Sequence, residues 1–155
     1  MTLKLPPGAY NIVVAGINND IPPGLFLTDN GEGKQLTVEN ATDKANQEWY
    51  IKPTDNAGHW TITPNLDSPA YVSEDVPKNP DQVFLLKNVQ RWGFSPISDN
   101  GHLYEVAPFD RIVGVDRLLG VDENNEKVII RKFPIRPLQP DSIRPAWELV
   151  PLGKD

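Results

Sequence analysis

Few side chains in this chain have the chemistry to catalyse a reaction or to hold a metal. There are two histidines, His59 and His102, and no cysteine. An enzyme needs a nucleophile beside a base, paired carboxylates, or metal ligands at workable spacing. Each histidine follows a glycine, Gly58 or Gly101, at an equivalent place in an internal repeat, and neither has Asp or Glu at a ligand spacing. Gly31-Glu32-Gly33-Lys34 lacks the spacing and the downstream Ser or Thr of a phosphate loop. Glu74-Asp75 and Asp122-Glu123 read as solvated loop charge. The absence of cysteine excludes disulfides, thiol catalysis and cysteine-ligated metals. These residues predict a protein that is not an enzyme and has no catalytic residue, metal or cofactor.

The elements that must position any functional residue show as a threefold recurrence. Three blocks open on a glycine before an alternating run: Gly8-Ala9-Tyr10-Asn11-Ile12, Gly58-His59-Trp60-Thr61-Ile62 and Gly101-His102-Leu103-Tyr104-Glu105-Val106. The same blocks close on Trp49-Tyr50-Ile51-Lys52-Pro53, Trp92-Gly93-Phe94-Ser95-Pro96 and Trp147-Glu148-Leu149-Val150-Pro151. A repeat of roughly 45 residues decides the architecture before any shorter motif. Block one carries strand-like runs at 10–14, 25–28, 35–38 and 48–51. Block two has them at 59–63, 70–73, 82–87 and 91–94, and block three at 102–106, 112–115, 127–133 and 146–150. Leu118-Leu119-Gly120-Val121 reads as part of a strand or of a bulged hairpin. Asp29-Asn30-Gly31-Glu32-Gly33-Lys34 predicts a hairpin turn around its Asn-Gly pair.

Three blocks of four strands predict an all-β fold, a β-trefoil, as one domain over 1–155 with repeats at about 8–53, 58–96 and 101–151. The outer strands of the blocks would form a six-stranded barrel and the middle pairs three capping hairpins. Trp49, Trp92 and Trp147 are expected in the core, where each ring contributes a few kcal/mol.

A chain of 155 residues can bury a sizeable core. Its 16 prolines and 11 glycines punctuate apolar runs, so stiff loops should join short strands. The net charge of −6 argues against nucleic acid or anionic membrane as a partner. The N-terminal stretch has no apolar signal core, and with no cysteine this predicts a cytoplasmic protein; a monomer is expected. Asn40-Ala41-Thr42 matches a glycosylation sequon, discounted without an export signal.

Gln47-x-Trp49 and Gln90-x-Trp92 match the Gln-x-Trp phrase of ricin-B-like lectin trefoils, whereas block three has Pro145-Ala146-Trp147. No Asp-plus-aromatic pair recurs after the second strand of each block, so a carbohydrate-binding trefoil is the alternative reading. Proline-stiffened loops on a rigid barrel suit a protease inhibitor better. A cleft that binds extended chain gains affinity when the segment is already held extended.

The whole chain resembles the basidiomycete (mushroom) β-trefoil protease inhibitors, both the cospin-like serine-protease branch and the mycocypins, clitocypin and macrocypin, that act on cysteine proteases. Pro7-Gly8-Ala9-Tyr10-Asn11-Ile12, Thr42-Asp43-Lys44 before Trp49-Tyr50-Ile51, Gln82-Val83-Phe84-Leu85-Leu86 before Arg91-Trp92, and Glu126-Lys127-Val128-Ile129-Ile130-Arg131 are similar to the first branch. Ile21-Pro22-Pro23-Gly24, Arg111-Ile112-Val113-Gly114-Val115-Asp116 and Arg144-Pro145-Ala146-Trp147 are similar to the second. The resemblance implies a reversible inhibitor of endopeptidases, trypsin-like serine proteases first and papain-like cysteine proteases second. It implies a serine-protease loop at Asp29, Asn30 and Gly31, with Lys34 and Arg136 as alternative pocket residues; Arg136, like Arg144, precedes a proline. It implies a papain-directed loop at Asp20, Ile21, Pro22, Pro23 and Gly24, aided by the loop between the third and fourth strands. It places Asn65 in a loop directed at asparagine-specific proteases.

Overall fold

The computed structural model describes residues 5–15, 24–42, 44–75, 78–97, 103–109, 115–122, 124, 126–134 and 145–153. Among the described residues twelve strands follow one another: β1 Gly8–Val14, β2 Phe26–Thr28, β3 Thr37–Glu39, β4 Trp49–Pro53, β5 Trp60–Thr63, β6 Tyr71–Asp75, β7 Asn79–Leu86, β8 Trp92–Pro96, β9 Leu103–Pro108, β10 Val115–Val121, β11 Val128–Pro134 and β12 Trp147–Pro151. A short 3-10 turn, Ala45–Gln47, precedes β4. Alternation drives the barrel strands: in β9, Tyr104, Val106 and Pro108 are buried while Leu103, Glu105 and Ala107 are half-buried.

Six strands close on themselves in the order β12-β9-β8-β5-β4-β1, with β1 pairing back to β12. Ile12 lies opposite Leu149, Ile51 opposite Ile62 and Phe94 opposite Val106. The remaining strands form three hairpins, β2–β3, β6–β7 and β10–β11. The hairpins join in a ring: Gln35 bridges Phe84, Gln82 pairs with Ile129, and Thr37 bridges Lys127. A six-stranded barrel capped by three mutually paired hairpins is the β-trefoil that the repeat predicts, and closure leaves the barrel no free sheet edge.

The three block-ending tryptophans are fully buried, at 0, 0 and 1% exposure. Each indole N–H donates to a main-chain carbonyl of its own block's cap hairpin. Trp49 reaches Leu27, Trp92 reaches Val72 and Trp147 reaches Leu119, all at 2.9 Å. The rings thus fill the core while tying barrel to cap. The fourth tryptophan, Trp60, lies edge-on to Phe94 with centroids 6.2 Å apart.

The expected second strand of block three, 112–115, meets the described residues only at Val115, where β10 begins, and Leu118-Leu119-Gly120-Val121 lies in the same strand. Residues 112–114 lie outside the described residues, and the strand is β10, paired one-to-one with β11 from Val115↔Pro134 to Val121↔Val128. There is no bulge in this ladder. Leu118, Leu119 and Val121 are buried, and the carbonyl that receives Trp147 has to lie on this strand.

The missing glutamine of block three also has a structural reason. In block one the buried Gln47 amide donates to Thr28 Oγ1 at 3.1 Å and Asn40 O at 2.9 Å, and its oxygen accepts the Thr42 N–H. In block two, Gln90 Oε1 accepts the Glu74 N–H at 2.6 Å. The residues after the tryptophan acceptors are Thr28, Ser73 and Gly120. A Cβ on Gly120 would come within 3.2 Å of Pro145 Cγ and 3.0 Å of Arg131 Cδ. Block three therefore replaces a hydroxyl and an amide by close Gly–Pro packing.

One buried ion pair crosses between cap hairpins. Arg117 on β10 bonds Glu74 on β6, both side chains 7% exposed. Asp81 stands 3.6 Å from the same guanidinium and 3.5 Å from Lys132. Burial pushes the Glu74 carboxyl above its usual range and the Arg117 charge pulls it back.

Trp49→Phe, Trp92→Phe and Trp147→Phe should each cost about 2–4 kcal/mol in denaturant unfolding, from a lost bond, an unpaired buried carbonyl and lost volume. Markedly unequal losses would refute a shared role. Gly120→Ser should cost about 1–3 kcal/mol by overpacking, and Pro145→Gln in the same chain should recover part of it; an additive double variant would contradict the Gly–Pro account.

Candidate functional site

The hairpin loop between β2 and β3 holds Asp29, Asn30, Gly31 and Lys34 together. Asp29 Oδ1 accepts the Gly31 N–H at 2.7 Å, an Asx turn. The chain then reverses over Gly31–Lys34, where the Lys34 N–H donates to Gly31 O at 3.2 Å. The reversal is thus centred on Glu32-Gly33 rather than on the expected Asn-Gly pair, because the Asp29 carboxylate already holds the Gly31 N–H. Gly31 and Gly33 take φ of 113° and 84°, which glycine tolerates best.

Asn30 is exposed, yet its amide is engaged. Nδ2 donates to Gln35 O at 3.1 Å and to Thr37 Oγ1 at 2.9 Å. The Thr37 hydroxyl in turn donates to Glu39 Oε2 at 2.8 Å. The loop leans on β7 as well: the Gly33 N–H reaches Leu85 O at 2.7 Å, the Leu85 N–H reaches Lys34 O, and the Leu36 N–H reaches Val83 O. Residues 30–34 nonetheless present their outer side to solvent. The tip is therefore braced before any partner arrives.

A second loop abuts the first. The Asp29 N–H donates to Asn46 O at 2.8 Å, and Asn46 Nδ2 to Asp29 O at 3.4 Å. Asn46 belongs to the connection from β3 to β4, which the buried Gln47 anchors from inside. The buried Gln47 is therefore the organiser of a loop. The Gln-x-Trp phrase was the available signal, but its partners Thr28, Asn40 and Thr42 are not adjacent in the chain.

The loop between β1 and β2 is described only at its ends. Asp20, Ile21, Pro22 and Pro23 lie outside the described residues. Gly24 is exposed at φ 90°, its N–H donating to Val14 O at 3.1 Å, while the Val14 N–H donates to Leu25 O at 2.8 Å. The stem of that loop is closed by the backbone. Arg136 also lies outside the described residues, as does His102.

Asn65 stands exposed between β5 and β6. Its Oδ1 accepts the Asp67 N–H at 3.0 Å, and its carbonyl accepts Thr63 Oγ1 at 2.8 Å. Lys52 Nζ donates to Leu66 O at 3.4 Å, and Leu66 itself is 49% exposed. This is a second compact, hydrogen-bonded tip. Among the described residues no group of three or more His, Asp or Glu is placed to hold a metal.

The family model for the clitocypin peptidase inhibitor matches residues 68–149. No curated protein matches the chain. Among solved structures, the Rhizoctonia solani agglutinin superposes with a TM-score of 0.68 at 17% identity, covering 97% of this chain and 99% of that one. ThreeFoil, a designed threefold-symmetric protein, gives 0.66 at 15% identity, over 94% and 99%. A mosquitocidal holotoxin gives 0.68 at 15% identity, with 95% of this chain matching 17% of that much longer one. At such identities the structural likenesses show the β-trefoil fold alone.

Asn30→Ala should raise hydrogen exchange of the Gly31 and Lys34 amides by about five- to tenfold, the effect of roughly 1 kcal/mol of local bonding, with little change in the global melting temperature. Unchanged exchange would mean the amide does not brace the tip.

Proposed function

We propose, because the chain belongs to the clitocypin peptidase inhibitor family, that it is a reversible inhibitor of endopeptidases acting through loops on its barrel, with papain-like cysteine proteases as the favoured class. The observation that carries the class is which family model matches. The model that matches residues 68–149 is that of clitocypin, the inhibitor whose resemblance implies cysteine-protease targets, and the span holds the mycocypin-like phrases Arg111–Asp116 and Arg144–Trp147 beside two phrases similar to the serine-protease branch. This reverses the order that the resemblance implies, which puts trypsin-like proteases first.

The mechanism needs no covalent step. A loop that enters a cleft loses less conformational freedom if it is already held, so more of its contact energy appears as affinity. The connection from β1 to β2 is closed at its stem by the Val14–Gly24 and Val14–Leu25 bonds, and prolines at 22 and 23 restrict its chain. The connection from β3 to β4 is anchored at Gln47. These two would occlude a papain-like cleft together.

A second reading, a trypsin-like target for the tip at Asp29, Asn30 and Gly31, is favoured by the bracing of that tip. A substrate-like loop resists cleavage when its main chain is held in place. Asn65, at the exposed tip between β5 and β6, is the candidate residue for an asparagine-specific protease.

Inhibition assays against papain, trypsin and an asparagine-specific protease separate these roles. Papain should be inhibited by the parent chain and by Asn30 and Asn65 variants alike. Asn65→Ala should weaken only inhibition of the asparagine-specific enzyme, by more than about tenfold, as for a residue central to an interface. Asn30→Ala should do the same for trypsin. Inhibition of none of the three would sink the proposal.

A further inference from the structure

A cavity of about 500 Å³ opens away from the loops discussed above, at the seam between the second and third repeats. Three separate connections build it: His59 just before β5, Asn88 to Arg91 between β7 and β8, and Phe109 just after β9. Its size falls within the range of small-molecule sites, about 300–1,000 Å³.

The wall is built around an aromatic platform. Phe109 stacks face to face on His59, with ring centroids 3.7 Å apart and planes 9° from parallel. Room for the ring comes from Gly93, whose counterparts in the other repeats are Tyr50 and Glu148. A Cβ on Gly93 would lie 2.9 Å from Phe109 Cε2. Glycine inside a strand often marks such a close approach. The Phe109 N–H is also tied to Arg91 O at 3.1 Å. Despite this support Phe109 remains 51% exposed, and Val89 beside it 60%.

Two of the polar residues beside the platform are anchored, and hydrogen-bonding groups are left over. The main chain of Asn88 is fixed by the Ser73 hydroxyl at 2.6 Å, and the Gln90 side-chain oxygen by the Glu74 N–H at 2.6 Å. Among the described residues the Asn88 amide, the Gln90 Nε2 and the Arg91 guanidinium make no hydrogen bond or ion pair. The carboxylate of Glu74, at the base, is already matched by Arg117. The cavity therefore offers an apolar ring, planar amide and guanidinium groups that can hold two neighbouring oxygens at once, and the single unpaired charge of Arg91.

We infer that this cavity binds a saccharide, with a pyranose ring laid on Phe109 and vicinal hydroxyls bonded by Asn88, Gln90 and Arg91. The apolar C–H face of a pyranose fits an aromatic ring, and its hydroxyls both donate and accept, as side-chain amides do. A carboxylate ligand would pair with Arg91 but would leave the aromatic ring and both amides unused, in a chain of net charge −6. The site is independent of the protease-directed loops, so it stands or falls separately from inhibition.

The test is a titration of the isotope-labelled chain with a panel of methyl glycosides of galactose, glucose, mannose and N-acetylglucosamine, followed by amide NMR shifts. At least one glycoside should shift the amides of Val89, Arg91 and Phe109. Phe109→Ala and Arg91→Ala should each weaken that binding about tenfold or more, with the melting temperature and papain inhibition unchanged. No shift at these amides with any glycoside overturns the inference. So does binding that survives Phe109→Ala, or a response to N-acetylaspartate in place of the sugars.

Discussion

One bond, made three times, holds this molecule together: an indole N–H on a barrel strand donating to a carbonyl of a cap hairpin. Trp49, Trp92 and Trp147 are the largest fully buried side chains, and each ends its reach on Leu27, Val72 or Leu119 at the same 2.9 Å. A ring of that size contributes burial wherever it packs, but the N–H also needs a partner, since an unpaired buried donor costs about 1–3 kcal/mol. The carbonyl that satisfies it must then sit at one height above the barrel in every repeat. Hairpin register follows from that requirement. The mutual pairing of the three hairpins through Gln35, Gln82 and Thr37 then closes the cap.

Within that frame the repeats differ where they are free to. Blocks one and two use a glutamine two residues before the tryptophan to organise the preceding loop, with Thr28 or Ser73 alongside. Block three uses Gly120 under Pro145, which fills space and donates nothing. Divergence of this kind lets one scaffold carry unlike loops.

Membership of a peptidase-inhibitor family fits a protein built in this way. The barrel supplies rigidity, and the loops supply surface. The Asp29–Lys34 tip illustrates the division: its side chains face solvent while its main chain leans on β7 through Leu85 and Val83. The cavity under Phe109 lies on the barrel itself, where a strand glycine leaves room for an aromatic ring from another connection.

The architecture was legible in the residues because it rests on local repetition. Alternating runs, opening glycines and closing tryptophans recur, and each describes a strand or its end. The second strand of block three was legible only in part: Leu118-Leu119-Gly120-Val121 falls in β10, whose Leu119 carbonyl accepts the Trp147 indole. The loops were legible only as candidates. That Asn30 would turn its amide to Gln35 and Thr37, or that Asp29 would shift the reversal to Glu32-Gly33, depends on which of several nearby acceptors the fold brings within reach. The cavity was not legible at all, since His59, Arg91 and Phe109 meet only when three connections from two repeats converge. Composition and period thus determined the barrel, because burial and pairing act along each strand. Tertiary structure decided the sites, because their hydrogen bonds and ring contacts join residues that have no relation in sequence.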